Sequence, residues 1–205
     1  MTKKEKIYEI LHKKYDGRGS DLNYKNAFEL LCAVVLAAQC TDRRVNMVTP
    51  VLFKKYPTPF ELAVANIYDV REIIKSINFF SNKSTYLVEL SKQLVENFDG
   101  VVPRTIEELS TLSGVGRKSA SVVLCGAFNI PAMPVDTHVF RVSNRLGISN
   151  SKNVVKCEQD IVEDFPKEKW NNMHNYLVLH GRYVCTAKAP QCETCPIKNE
   201  CDHNI

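Results

Sequence analysis

Apolar positions recur along this chain at intervals of three and four, the spacing of one helix face, and strand-like alternation is scarce. Ile7, Ile10 and Leu11 mark a charged amphipathic helix over residues 3–16. From Asn26 to Gln39 the segment is apolar almost all round, which predicts a central helix buried on every side. Thr41-Asp42 caps the next helix, with Pro50 placed to kink or end its first part. Thr58-Pro59-Phe60-Glu61 reads as a capping box with proline at the first helical position. A short helix follows Asp69, and a longer one runs from about Asn82 to Glu96. Thr105, with Glu108 three residues on, opens a helix reaching Leu112, and a second begins near Gly116. Further helices are predicted after Asp136, over 151–163 and over 167–180, with breaks at Phe98-Asp99-Gly100 and Asn129-Ile130-Pro131. The fold class is all-α, with no internal repeat and no low-complexity tract.

The length, 205 residues, allows one large domain or two small ones, and without a Gly/Ser linker any division must be compact. Apolar residues at 44% and charged residues at 24% describe an ordinary globular protein. No apolar run is long enough to span a membrane. The N-terminus leads into an amphipathic pattern instead of a signal sequence, so an intracellular location is expected. A net charge of +4 is mild, and a nucleic-acid partner must be argued from local clustering of basic groups.

The eight cysteines divide into two sets. Cys32, Cys40, Cys125 and Cys157 stand singly in apolar, helical-looking runs and are expected to be buried packing residues. Cys185, Cys192, Cys195 and Cys201 crowd together near the C-terminal end, in the spacing C-x6-C-x2-C-x5-C. In a chain without a secretory signal such a cluster points to metal before disulfides. A closed tetrahedral zinc site satisfies four thiolates. Zinc sites usually have two paired knuckles, however, and the single C-x2-C pair with unequal intervals also fits a [4Fe–4S] cluster. Either group would lend folding energy to a segment with little core of its own.

Two further stretches carry candidate chemistry. In Leu112-Ser113-Gly114-Val115-Gly116-Arg117-Lys118, two glycines flank one valine between two helices. Such a corner can serve only to stop and start helices. Its glycines also allow a turn that points backbone N–H groups outward at a helix N-terminus, where they suit a phosphate, and Arg117-Lys118 favours an anion. Asp136, just before a helix, is an N-cap whatever else it does. A carboxylate there, beside an anion-binding groove, can also stabilise a developing cationic sugar. Lys118 is either a solvated helix lysine or a nucleophile; the second role requires loss of its proton, favoured by desolvation or a neighbouring cation such as Arg117.

Taken together these residues resemble the endonuclease III family of helix-hairpin-helix DNA glycosylases, over essentially the whole chain. Leu112-x-Gly114-Val115-Gly116-Arg117-Lys118 is similar to the family's hairpin, and Val135-Asp136-Thr137-His138-Val139-Phe140-Arg141 to its catalytic aspartate segment. Leu179-His180-Gly181-Arg182-Tyr183 leads into the cysteine spacing of its [4Fe–4S] loop. The resemblance implies a two-lobed helical protein. One lobe is a six-helix barrel over roughly 20–132 with the hairpin at about 105–125; the other is a cluster domain of 1–19 and 133–205, with a DNA groove between. It implies Lys118 as nucleophile, Asp136 as its electrostatic and acid/base partner, and Cys185, Cys192, Cys195 and Cys201 as ligands of a [4Fe–4S] cluster. DNA contacts fall to Gly114, Val115, Gly116, Arg117, His138, Lys83 and Lys188. Gln39 is expected to fill the space of an extruded base, and Ile77-Asn78-Phe79 to supply an apolar wedge.

The implied activity is base release from duplex DNA bearing damaged pyrimidines or abasic sites, followed by strand nicking, by a monomer. Several positions depart from the family's pattern. Ser113 stands where proline is common, which is expected to loosen the hairpin. Asn78 replaces a glycine, at a position expected to need a tolerated positive φ. Phe79-Phe80 offers a bulkier wedge, and the 186–191 loop carries one basic residue where relatives often have more. A monofunctional glycosylase would lack the lysine at 118; a zinc-stapled DNA-binding module or an electron carrier are the readings from other classes.

Overall fold

Side-chain caps decide where most of the helices begin. The structure, a computed structural model, describes residues 1–19 and 21–203. Thr2 and Thr58 close full capping boxes with Glu5 and Glu61, starting α1 (Lys3–Tyr15) and α4 (Pro59–Ala63). Asn26, Thr41, Asn66 and Thr105 cap α2 (Ala27–Ala37), α3 (Asp42–Lys55), α5 (Ile67–Ile74) and α7 (Ile106–Leu109). Asp136 and Asn153 cap α9 (Thr137–Leu146) and α10 (Val154–Asp164). The remaining helices, α6 (Phe80–Phe98), α8 (Arg117–Phe128) and α11 (Trp170–Tyr183), have no side-chain cap. Among the described residues no strand is formed, and no helix is long and apolar enough to cross a membrane.

The boundaries differ from expectation where a local signal met a stronger one. The helix continues through Pro50 to Lys55, because Val45, Val48 and Leu52 are buried and one lost backbone bond does not outweigh that packing. The helix expected after Asp69 starts earlier, under Asn66. The segment expected to reach Leu112 is only one helical turn. Glu108 there bonds the Thr105 hydroxyl, at 2.7 Å, so the expected box is half-formed. The helix expected from Ser151 waits for Asn153, and a 3-10 turn, Lys167–Lys169, precedes α11.

The chain divides into two compact units, Met1–Gly19 with Ile130–Ile205, and Ser20–Asn129. In the second, every residue of α2 from Phe28 to Leu36 is buried, the central helix that its all-round apolar character requires. Val45, Leu52, Val70, Ile74, Leu87, Leu90, Leu94, Val123 and Leu124 complete that core. In the first unit, Ile7, Leu11 and Tyr15 of α1 pack with Val139, Val142 and Leu146 of α9, Ile161 of α10 and Met173 and Leu177 of α11. Cys185, Cys195 and Cys201 pack against this same core. Cys32 and Cys157 are buried as expected, but Cys40 and Cys125 are only half-buried. Cys40 lies beyond the end of α2, where the chain has already turned to the surface.

Candidate active site and metal centre

The two glycines of the hairpin serve different ends. Gly114 has φ +76°, and a Cβ there would lie 2.9 Å from Tyr86, so dihedral and space both exclude a side chain. Gly116 is extended, φ −95°, and a Cβ there would meet nothing within 4 Å, so no conformational need explains it. What it leaves is open room in front of the first turn of α8, whose N–H groups receive no side-chain cap. Val115 is buried and anchors the turn, while Arg117 and Lys118 are exposed at the start of the helix. Uncapped donors, a helix dipole and two cations at one place suit a phosphodiester. The expected loosening by Ser113 does not occur. Its N–H donates to Gln93 Oε1 (2.7 Å) and its hydroxyl to Glu89 Oε2 (2.8 Å), tying the hairpin to α6.

Asp136 accepts from the N–H groups of His138 (2.8 Å) and Val139 (2.9 Å) through one oxygen, Oδ1. The N-cap reading is therefore correct, and the residue is half-buried. From the same helix, His138, Arg141 and Arg145 project on one side at i, i+3 and i+7. Arg141 Nη2 donates to the Gly181 carbonyl (2.8 Å) and the Cys185 carbonyl (3.1 Å), and lies 3.2 Å from His138 Nδ1. Arg145 Nη1 donates to the Thr186 carbonyl (2.8 Å) and to Cys185 Sγ (3.3 Å). Gly181 permits the approach of α11 to α9, since a Cβ there would meet that of His138 at 2.9 Å. The helix that carries Asp136 thus holds the cysteine loop by its backbone. Lys188 is exposed on that loop, which Thr186 Oγ1 closes by donating to the Ala189 carbonyl (2.7 Å). The arginines were not singled out from the sequence, although their spacing on one helix face was legible there.

Cys185, Cys192, Cys195 and Cys201 line one hollow together with Arg145, Leu146, His180 and Pro190. Burial, with the neighbouring thiolates adding to it, pushes the Cys195 and Cys201 thiols above their ordinary range. A positively charged group bound among them relieves that repulsion and deprotonates the thiols outright. A single zinc ion needs four sulfurs about 2.3 Å from one point. Four thiols lining one hollow are soft donors that fit a cluster with several iron corners as well as a zinc ion. His180 lies behind them, its Nε2 3.6 Å from Cys195 Sγ and its Nδ1 3.2 Å from the Tyr15 hydroxyl. Burial lowers the His180 pKa to about 4, so the imidazole is neutral at neutral pH.

The remaining candidates lie at the N-terminal end of α6. Gln39 is exposed with φ +55°, and Phe79 is 61% exposed with φ +57°. Left-handed backbone costs a non-glycine residue about 1–2 kcal/mol, so both turns are held by their surroundings. Three expectations are corrected here. Ile77 is 1% exposed and belongs to the core, so the apolar residue presented outward is Phe79. Positive φ falls at Phe79, not at Asn78. Lys83 is buried, and its Nζ donates to the carbonyls of Leu36 (2.8 Å) and Ala38 (2.6 Å), which removes it from the phosphate contacts. Burial also pulls its pKa below the usual lysine range. Its place in the first turn of α6 suggested an exposed cation; only the packing of α6 on α2 turns it inward.

The model of the HhH-GPD superfamily base excision DNA repair protein matches residues 32–167. Endonuclease III of Synechocystis sp. is 43% identical over 204 residues, covering 98% of this chain and 93% of that protein. Endonuclease III of Bacillus subtilis is 45% identical over 182 residues, 88% of this chain and 83% of that one. Among solved structures, a trapped endonuclease III–DNA covalent intermediate aligns with a TM-score of 0.91 at 41% identity, covering 99% of this chain and 97% of that one. A non-covalent endonuclease III–DNA complex aligns with a TM-score of 0.92 at 41% identity, covering 99% and 96%.

Proposed function

This chain belongs to the endonuclease III family, within the HhH-GPD superfamily of base-excision repair proteins, and on that footing we propose which of its residues carry the reaction. It is a DNA glycosylase with associated lyase activity, acting on damaged pyrimidines through the family's Schiff-base chemistry. The partner is DNA; we take it to be duplex carrying a damaged pyrimidine or an abasic site, bound inside the cell by a monomer.

The uncapped amides of α8, with Gly114, Val115, Gly116 and Arg117, hold one phosphodiester of the strand. Lys188 adds a second phosphate contact, and His138, tied to Arg141, faces the strand next to Asp136. Phe79 enters the stack and Gln39 takes the place of the extruded base, whose flipping costs least where pairing is already poor. Lys118, exposed in the free chain, is desolvated once DNA covers it. Its amine attacks C1′, the glycosidic bond breaks, and the base leaves with the bonding electrons. Asp136 stabilises the positive charge that develops on the sugar and accepts or returns protons. The sugar ring opens to the Schiff base at Lys118 Nζ. Loss of a C2′ proton then expels the 3′ phosphate, which nicks the strand 3′ to the lesion.

Cys185, Cys192, Cys195 and Cys201 would hold a [4Fe–4S] cluster, which supplies a fixed, covalently braced anchor for the 186–191 loop when bound. Arg145 and Arg141 hold that loop to the Asp136 helix, so they orient Lys188 and the aspartate together. The observation that carries the assignment is Lys118 standing beside the uncapped, open N-terminus of α8. Lys118→Gln should abolish borohydride trapping on DNA with an oxidised pyrimidine while binding is retained. A mutant that still forms the trapped adduct places the nucleophile elsewhere.

A further inference from the structure

The turn that follows α2 and the turn that precedes α6 are joined by three hydrogen bonds, all from residues of the second turn or its helix. Asn78 Nδ2 donates to the Gln39 carbonyl at 2.7 Å. Lys83 Nζ reaches the carbonyls of Leu36 and Ala38, two of the acceptors left over at the end of α2. A buried ammonium is tolerated only when hydrogen-bonded, and here two of its three donors go to backbone carbonyls at the end of α2. Gln39 and Phe79, the two side chains this arrangement presents, both sit in the left-handed region that isolated chains avoid. Neither turn is held by a glycine.

We propose that Asn78 and Lys83 are positioning residues that join the Gln39 turn and the Phe79 turn into one preorganised, two-pronged insertion unit. This rests on the reading above that both side chains enter the duplex. Ordering two separate loops during base extrusion would add conformational entropy to the barrier; a unit ordered beforehand does not carry that cost at the moment of insertion. Lys83 contributes by occupying the helix-end carbonyls, and Asn78 adds the direct tie between the prongs.

The test is stopped-flow fluorescence of 2-aminopurine placed opposite an oxidised pyrimidine, with the full-length protein carrying its cluster. Gln39→Ala and Phe79→Ala should each slow the rise in signal; if neither does, the insertion reading itself fails. With those controls in place, Asn78→Gly should slow the rise about three- to tenfold, the range of one lost hydrogen bond, with the thermal midpoint lowered by no more than about 4 °C. In a Gln39→Ala, Phe79→Ala background the same Asn78→Gly change should add nothing, because its effect passes through the two prongs. A rate unaffected by Asn78→Gly, or slowed equally with and without the two prongs, overturns the proposal. Lys83→Met should reproduce the defect more strongly; should it not fold, the Asn78→Gly cycle decides alone.

Discussion

Asp136 carries a structural task and, on the function proposed above, a chemical one, and a pair of substitutions separates them. Its Oδ1 accepts two N–H groups at the start of α9, at 2.8 and 2.9 Å. Removing such a cap costs about 1 kcal/mol, so Asp136→Ala should lower the thermal midpoint by roughly 2–4 °C in a protein of this size. Asp136→Asn keeps an oxygen for both N–H groups and should stay within about 0.5 kcal/mol of the parent. The chemical effect is larger. The proposed mechanism asks for a full negative charge beside the developing sugar cation; at a separation of about 5 Å and an effective dielectric near 20 that interaction is worth about 3 kcal/mol. Its loss should slow base release on the order of 100-fold in both variants. Single-turnover excision with a 5′-labelled duplex, beside differential scanning fluorimetry, reads the two effects independently. An Asp136→Asn protein that releases base at the parent rate would leave the residue as a helix cap and refute the catalytic assignment.

The two hairpin glycines should part company in the same way. Gly114→Ala forces a left-handed alanine into contact with Tyr86 and should lose about 2 kcal/mol or more in urea melts. Gly116→Ala should fold normally yet weaken binding to an abasic-site duplex, since its methyl occupies the open space that the proposed function gives to a phosphate; unaltered affinity would mean nothing sits there. Ser113→Pro deletes the N–H bonded to Gln93, so it should destabilise by about 1 kcal/mol instead of stiffening the turn. The aerobically purified protein should be yellow-brown and release about four irons with acid-labile sulfide per chain, whereas a colourless zinc protein rejects the cluster.

The all-α class, the central buried α2, the caps Thr41, Thr58, Thr105 and Asp136, and the four thiols gathered round one hollow were all legible in the chain itself. Each depends on interactions a few residues apart, and the spacing of side chains along a helix or loop is written directly in residue order. Gly114 was legible for the same reason. The purpose of Gly116 was not, because the sequence cannot distinguish a glycine needed for its dihedral from one needed for the room it leaves.

Burial and partners across the fold were not legible. Ile77 and Phe79 are two residues apart in one short loop, yet one is core and the other stands in solvent. Lys83 has the local surroundings of an exposed cation, and becomes a buried brace because α2 ends where its ammonium arrives, 47 residues away in sequence. Arg141 and Arg145 became holders of the cysteine loop for the same kind of reason. Residue order fixes which groups lie within a turn of one another; which of them meet after long excursions of the chain is decided by packing. A polar side chain then takes its role from whichever unpaired backbone groups the packing brings within reach.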